Sequence, residues 1–199
     1  MTAQPSTLGA RERILAAAIA LFMSNDVESV PVAEICRAAG VSNGSFFHHF
    51  PSKDGLALEI TLALRREYWD FVLAAMEPSA NAMEGVAGAI RAAFAYQRKF
   101  PERYRLSRSD DAPWMRGQDD RIRDDNAPYR NRAARWIAAR AGDGELPLLL
   151  PEIYGALLFG MPHWVARNAN AGATPTDFDA AEDQLVLTIQ KALAPESGR

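Results

Sequence analysis

The chain has 199 residues, 48% hydrophobic and 24% charged, with a formal net charge of −3 and one cysteine. That length holds one sizeable core or a small head on a larger body, with the composition of an ordinary soluble globular protein. The charge excludes a bulk basic binder of polyanions, the lone Cys36 excludes an intramolecular disulfide framework, and no stretch approaches the roughly 20 apolar residues of a membrane span.

The opening residues M-T-A-Q-P-S-T-L-G-A lack the charged and apolar parts of a signal peptide, so a cytoplasmic protein with no membrane partner is expected. Apolar residues then recur at helical spacing almost throughout, with little alternation at period two, which predicts an all-α fold. Ile14, Ala18, Leu21 and Phe22 make one stripe from about Arg11 to Ser24. Asn25-Asp26 is expected to stop that helix, because Asn tolerates the left-handed conformation many helix ends need. A second helix is predicted from near Pro31 to Ala39, and Gly40 supplies a sharp turn with positive φ. Ser42 suits the N-cap of a short helix through His49. Ser52 caps again, and an apolar-periodic segment runs from there to about Met76.

Further helices are predicted from about Ala82 to Phe100, Pro101 to Arg108, Asn126 to Ala141, Pro151 to Ala169 and Thr176 to Leu193. Pro128 is read as a helix start capped by Asn126, and Pro162 as a kink. Ser107–Asp120, with Pro113 and Gly117, reads as a loop or short helical pieces.

Gly40 followed by Ser42–His49 is the turn and second helix of a helix-turn-helix. At 3.6 residues per turn, Phe46 and Phe50 share one side, and Gly44 and His48 fall opposite, flanked by Phe47 and Ser45. Gly44 would let backbone approach DNA closely. His48 can meet a base edge, while Ser42, Asn43, Ser45, His49 and Lys53 can reach phosphates. Residues 1–55 carry four Lys and Arg against five Asp and Glu, so contact depends on where a few charges sit.

The combination of R-E-R-I-L-A-A-A-I-A-L-F (11–22), I-C-R-A-A-G-V-S (35–42), G-S-F-F-H-H-F (44–50) and P-S-K-D-G-L (51–56) resembles the DNA-binding head of the TetR family of bacterial transcriptional regulators. The resemblance implies a head at 1–55, with a three-helix, helix-turn-helix architecture. A long helix joins it to a helical effector-binding and dimerisation body at 56–199. It also implies a homodimer, operator DNA as partner and, usually, repression relieved by a small-molecule effector. The family's DNA-contacting positions fall at Arg37, Ser42, Asn43, Ser45, Phe47, His48, His49 and Lys53. Three departures stand out: Phe47 where Tyr is usual, Pro31 where Thr or Ser is usual, and Asn25-Asp26 for a glycine turn.

In the body, the family's ligand position between the middle helices points to Tyr68, Phe94, Tyr104, Trp114 and Trp136, with Gln97 and Arg98 as polar anchors. The last two helices are the expected dimer surface, through Leu157, Met161, Trp164, Leu185 and Ile189, although that face could equally be core. Ligand binding would shift an equilibrium between head spacings through Lys53–Met76.

Enzymatic chemistry finds no support: there is no G-x-S-x-G elbow, no phosphate-cradling glycine loop, and no zinc-ligand spacing. His48 and His49 are adjacent and so face different ways, and His163 is far along the chain. The pairs Asp110-Asp111, Asp119-Asp120 and Asp124-Asp125 read as turns and helix starts. No enzyme, metal or cofactor is expected. Cys36 reads as a small buried filler, with a redox-sensing thiol as the other reading. A protein–protein adaptor that keeps the head without DNA binding is the alternative function.

Overall fold

A computed structural model describes residues 8–170 and 177–194, with side chains through Asn168 in the first stretch. Every regular element among them is helical. In chain order these are α1 (Ala10–Ser24), α2 (Val32–Ala39), α3 (Asn43–His49), α4 (Lys53–Met76), α5 (Ala82–Lys99), α6 (Pro101–Ser107), α7 (Asp119–Gly142), α8 (Pro151–Gly155), α9 (Met161–Asn170) and α10 (Phe178–Leu193). Short 3₁₀ turns lie at Val27–Ser29 and Pro113–Met115, and a π-helical segment, Ala156–Gly160, joins α8 to α9. The all-α expectation holds.

The chain forms two compact units. The first takes residues 1–65 and 102–122, so it extends past α3 into the front of α4 and recruits α6 and the Pro113–Met115 turn. Ile14, Ala18 and Phe22 of α1 meet Ile35 of α2, Phe46 of α3 and Leu56 and Ile60 of α4 in one core. Burying each large side chain contributes about 1.5–3 kcal/mol. Around that core, the guanidinium of Arg65 donates to the Ser107 carbonyl at 2.7 Å and pairs with Asp110. Arg105 reaches back to the Phe22 carbonyl at 3.1 Å.

The second unit takes residues 66–101 and 123–199. Val86, Ile90 and Phe94 of α5 pack with Tyr154, Leu158, Val186 and Ile189. A methyl group on Gly88 would lie 2.6 Å from the carbonyl oxygen of Ala75, so glycine lets α5 lie close against α4. Arg132 holds the flank of this unit, with Nε and Nη2 on the Glu77 carboxylate and Nη1 on Asp70.

Two local expectations are corrected. Asn25 does not take the left-handed conformation: its φ is −142°, and its side-chain Nδ2 ends α1 by donating to the Leu21 carbonyl at 3.0 Å. Pro128 does not begin a helix but lies inside α7, which starts at Asp119. The acidic pair Asp119-Asp120 sits at the positive end of the helix dipole, and Asp125 pairs with Arg66, so the turns ahead of the proline are held. The last helix begins at Phe178 with Asp177 as its cap, accepting from the amides of Asp179 and Ala180; Thr176 lies outside the described residues.

Pro162 perturbs its helix as expected, and the form of the perturbation is specific. Lacking an N–H and crowding the carbonyl four residues back, it follows a stretch whose hydrogen bonds widen, with the Met161 amide donating to Ala156.

Candidate nucleic-acid interface

Gly40 ends α2 at φ 63° and ψ 43°, the left-handed geometry only glycine takes without strain, and its amide returns to the Arg37 and Cys36 carbonyls. Ser42 then caps α3, its Oγ accepting from the Ser45 amide at 3.1 Å. Phe46 is fully buried, with its ring centroid 6.1 Å from that of Phe50. This anchored side fixes the opposite one. Asn43, Gly44 and His48 are exposed, as is Phe47 at 52%, while Ser45 and His49 are half-buried.

The outward face of α3 is therefore short, uncharged at its N-terminus and bounded by two imidazoles, 5.0 Å apart between ring centroids. Asn and His side chains can each donate and accept at base edges, and Gly44 leaves room there for close approach. The nearest atom to a methyl group on that glycine would be Ser42 Oγ at 3.8 Å, so nothing crowds it.

The four Lys and Arg residues of the head have different fates. Arg11 pairs with Glu59 and stacks over Phe50, and Arg13 donates to the Ala39 and Leu8 carbonyls. Lys53, expected at a phosphate, is turned inward: its Nζ donates to the carbonyls of Val27 at 2.9 Å, Glu28 at 2.9 Å and Val30 at 3.1 Å. An ammonium has three protons, and all three are engaged there. Arg37 is the most outward of the four, its side chain 80% exposed and 3.7 Å from Glu34, against 48% for Arg11.

Cys36 is buried in the core of this unit, and burial pushes its thiol above the ordinary range while a backbone hydrogen bond partly offsets the rise. A thiol held protonated this way is a poor nucleophile, which favours the filler reading.

The residues expected to hold an effector divide between the units. Tyr104 and Trp114 belong to the first, where both are buried and the Trp114 indole donates to Thr61 Oγ1 at 3.1 Å. Tyr68, Phe94, Gln97, Arg98 and Trp136 belong to the second. Phe94 is plain core, and Arg98 faces outward to Asp179 and Glu182. Gln97 is only 6% exposed, yet among the described residues neither its amide nitrogen nor its oxygen has a hydrogen-bond partner, and the buried indole nitrogen of Trp136 has none either.

None of these seven lines the large groove of the second unit, about 960 Å³, formed by Trp69, α7 and the segment 147–159. Its walls include Ile137, Ala138, Leu149, Tyr154 and Phe159, with Arg123, Arg130 and Asn131 contributing polar groups. The signal that marks it in sequence is a run of small residues at helical spacing, Ala127, Ala134, Ala138 and Ala141, on the same helix as those polar groups.

Of the expected dimer contacts, Met161 and Trp164 are exposed, the latter at 66%. Leu157 and Leu185 are half-buried against the second unit's core. Ile189 is 1% exposed and belongs to that core, so it is not a surface contact. Ile153 and Leu187, not singled out from sequence, are exposed large apolar residues of the same helices.

Residues 14–60 match the profile of the bacterial regulatory proteins of the tetR family, a span from α1 into α4. The chain is 40% identical over 60 residues to the HTH-type transcriptional regulator UidR of Escherichia coli strain K12, covering 30% of this chain and 29% of that protein. It is 32% identical over 92 residues to the HTH-type transcriptional regulator BetI of Rhizobium meliloti strain 1021, covering 46% and 45%. The matched segments thus span less than half the length of these curated relatives. In fold, 94% of the chain superposes on 99% of a structure assigned to the tetR family from Shewanella sp. PV-4, with TM-score 0.72 and 22% identity. The helix-turn-helix lies within the segment, residues 14–60, that is similar to the tetR family of bacterial regulatory proteins.

Proposed function

We propose that the protein is a DNA-binding transcriptional regulator, a homodimeric repressor released from its operator by a small-molecule effector. The observation that carries this reading is the construction of α3: Phe46 and Phe50 clamp one side in the core while Asn43, Gly44, Phe47 and His48 stand exposed on the other. Two such helices, one per protomer, would enter successive major grooves about 34–36 Å apart. His48 and Asn43 read base edges. Ser42, Ser45, His49 and Arg37 meet the backbone, and the α3 N-terminus favours a phosphate. Phe47 contributes apolar contact where a hydroxyl would otherwise reach a phosphate.

For the dimer, the exposed apolar set Ile153, Met161, Trp164 and Leu187 supports pairing through α8, α9 and α10, with half-buried Leu157 and Leu185 at its edge. Large exposed apolar side chains on one set of helices favour burial against a second copy. The effector would be taken up by the second unit, and ligand occupancy would bias an equilibrium between operator-competent and operator-incompetent forms.

The test is a gel shift of the purified protein against the DNA upstream of its own gene, at low and moderate salt. A retarded band that His48→Ala weakens on the specific fragment, and hardly at all on random DNA, supports the reading. Equal retention of specific and random DNA contradicts it.

A further inference from the structure

The groove of the second unit is graded along its length. Arg123 and Ala127 lie in the first half of α7, Arg130 and Asn131 at its middle, and Ala138, Ala141 and Gly142 toward its end. The rise of 1.5 Å per residue separates Arg130 from Gly142 by about 18 Å. Leu148, Leu149 and Tyr154 line the groove as well, and the Tyr154 hydroxyl is fixed on the Pro147 carbonyl just beyond the α7 terminus. The aromatic pair Trp69 and Phe159 lines the groove too, with ring centroids 4.8 Å apart. Trp69 is next to Asp70, which pairs with Arg132, so the pair is level with the polar end of the α7 wall.

Charge along the groove is uneven in the same sense. Two guanidiniums and the Asn131 amide lie on the α7 wall between its first turns and its middle; Arg123 has Asp124 at 4.0 Å, and Arg130 has no carboxylate within 4.0 Å among the described residues. Glu152 is the acidic group of the lining; it follows Pro151 in the first turn of α8. Walls of alanine, leucine, isoleucine and aromatic rings leave the middle without polar partners for a ligand.

From this we infer that the groove takes an amphipathic monoanion: a carboxylate held by Arg130, assisted by Arg123 and Asn131, with an unbranched hydrocarbon chain laid past Trp69 and Phe159 toward Leu149. The volume, about 960 Å³, is at the upper end of small-molecule sites and suits a long flexible chain better than a compact ring. Guanidinium pairs with carboxylate in a bidentate geometry, so the head is fixed in place while the tail adapts. As the identity of the effector, this rests on the effector-controlled reading above; as a binding site, it stands on the groove alone.

Isothermal titration of the full chain, without DNA, tests the site with octanoate, dodecanoate, dodecanol and dodecyltrimethylammonium. Affinity is expected to climb from octanoate to dodecanoate, by roughly fourfold for each methylene that becomes buried. Dodecanol and the ammonium should bind roughly tenfold to hundredfold more weakly than dodecanoate, because the charge-assisted contact is lost. Arg130→Gln should bring dodecanoate down to the level of dodecanol. Ala134→Trp, at an exposed position, should block the tail and abolish binding of all of them while the thermal melt stays cooperative. Absence of dodecanoate binding, equal binding of the cation, or dodecanoate binding unchanged in both variants would overturn the inference. Operator affinity is then measured with saturating dodecanoate. If dodecanoate binds but the operator is retained, the effector-controlled reading fails and the site stands.

Discussion

The ammonium of Lys53, at the first turn of α4, donates to the carbonyl oxygen of Val30 at 3.1 Å, just ahead of α2. With the bonds to Val27 and Glu28, it ties the start of the long helix to the turn between α1 and α2. Its role is to hold the frame that presents α3.

Replacing Lys53 by methionine keeps the aliphatic stem and removes the donors. Hydrogen bonds to a charged group each contribute about 1.5–3 kcal/mol, and partial exposure of these reduces the total, so a loss of about 2 kcal/mol is expected. A lower urea midpoint with an unchanged slope of log affinity against log salt fits this role. Unchanged stability with a salt slope shallower by about one would return Lys53 to the phosphate backbone.

Gln97 offers a test of a different kind. A buried amide with neither atom partnered costs roughly 1–3 kcal/mol of desolvation, so removing it should help. Gln97→Met, of similar length and volume, is expected to raise the urea midpoint by the equivalent of about 1 kcal/mol. A fall in stability would mean that the amide has partners in solution.

How far the sequence was readable depends on how local each cause is. Gly40, Ser42 and Ser52 act within a few residues of themselves, and each has the geometry its position suggested. Phe46 and Phe50 were legible because helical spacing alone puts them on one side. Lys53 was not: its partners are carbonyls more than twenty residues away, brought near only by packing. Pro128 looked like a helix start because proline tolerates the first turn best, yet contacts elsewhere held α7 through it. The groove escaped for a related reason, since its aromatic walls were visible as residues while their meeting across α7 depends on tertiary structure.

Acidification should reveal the strap between α7 and α5. Glu145 accepts from the Ala82 amide and from Arg140, and these hydrogen bonds, the backbone one first, hold its carboxyl below the ordinary range. A depressed folded-state pKa adds stability that is fully present above the unfolded value, near 4.3 for Glu, and lost as pH falls through the folded value. The melting temperature should therefore drop on acidification below about pH 4. In Glu145→Gln that acid limb should be shallower, with a lower plateau near neutrality. An identical pH profile in the two proteins would show that the strap adds nothing.

The most direct measurement of the central claim is a hydroxyl-radical footprint on a fragment selected by the protein from genomic DNA. The expected pattern is two equivalent protected half-sites whose centres lie about one helical turn apart, roughly 34–36 Å. In His48→Ala the protection should weaken at specific bases, while the protein stays folded and nonspecific binding persists. Recovery of no fragment, or a single protected patch indifferent to changes at Asn43 and His48, would contradict the account.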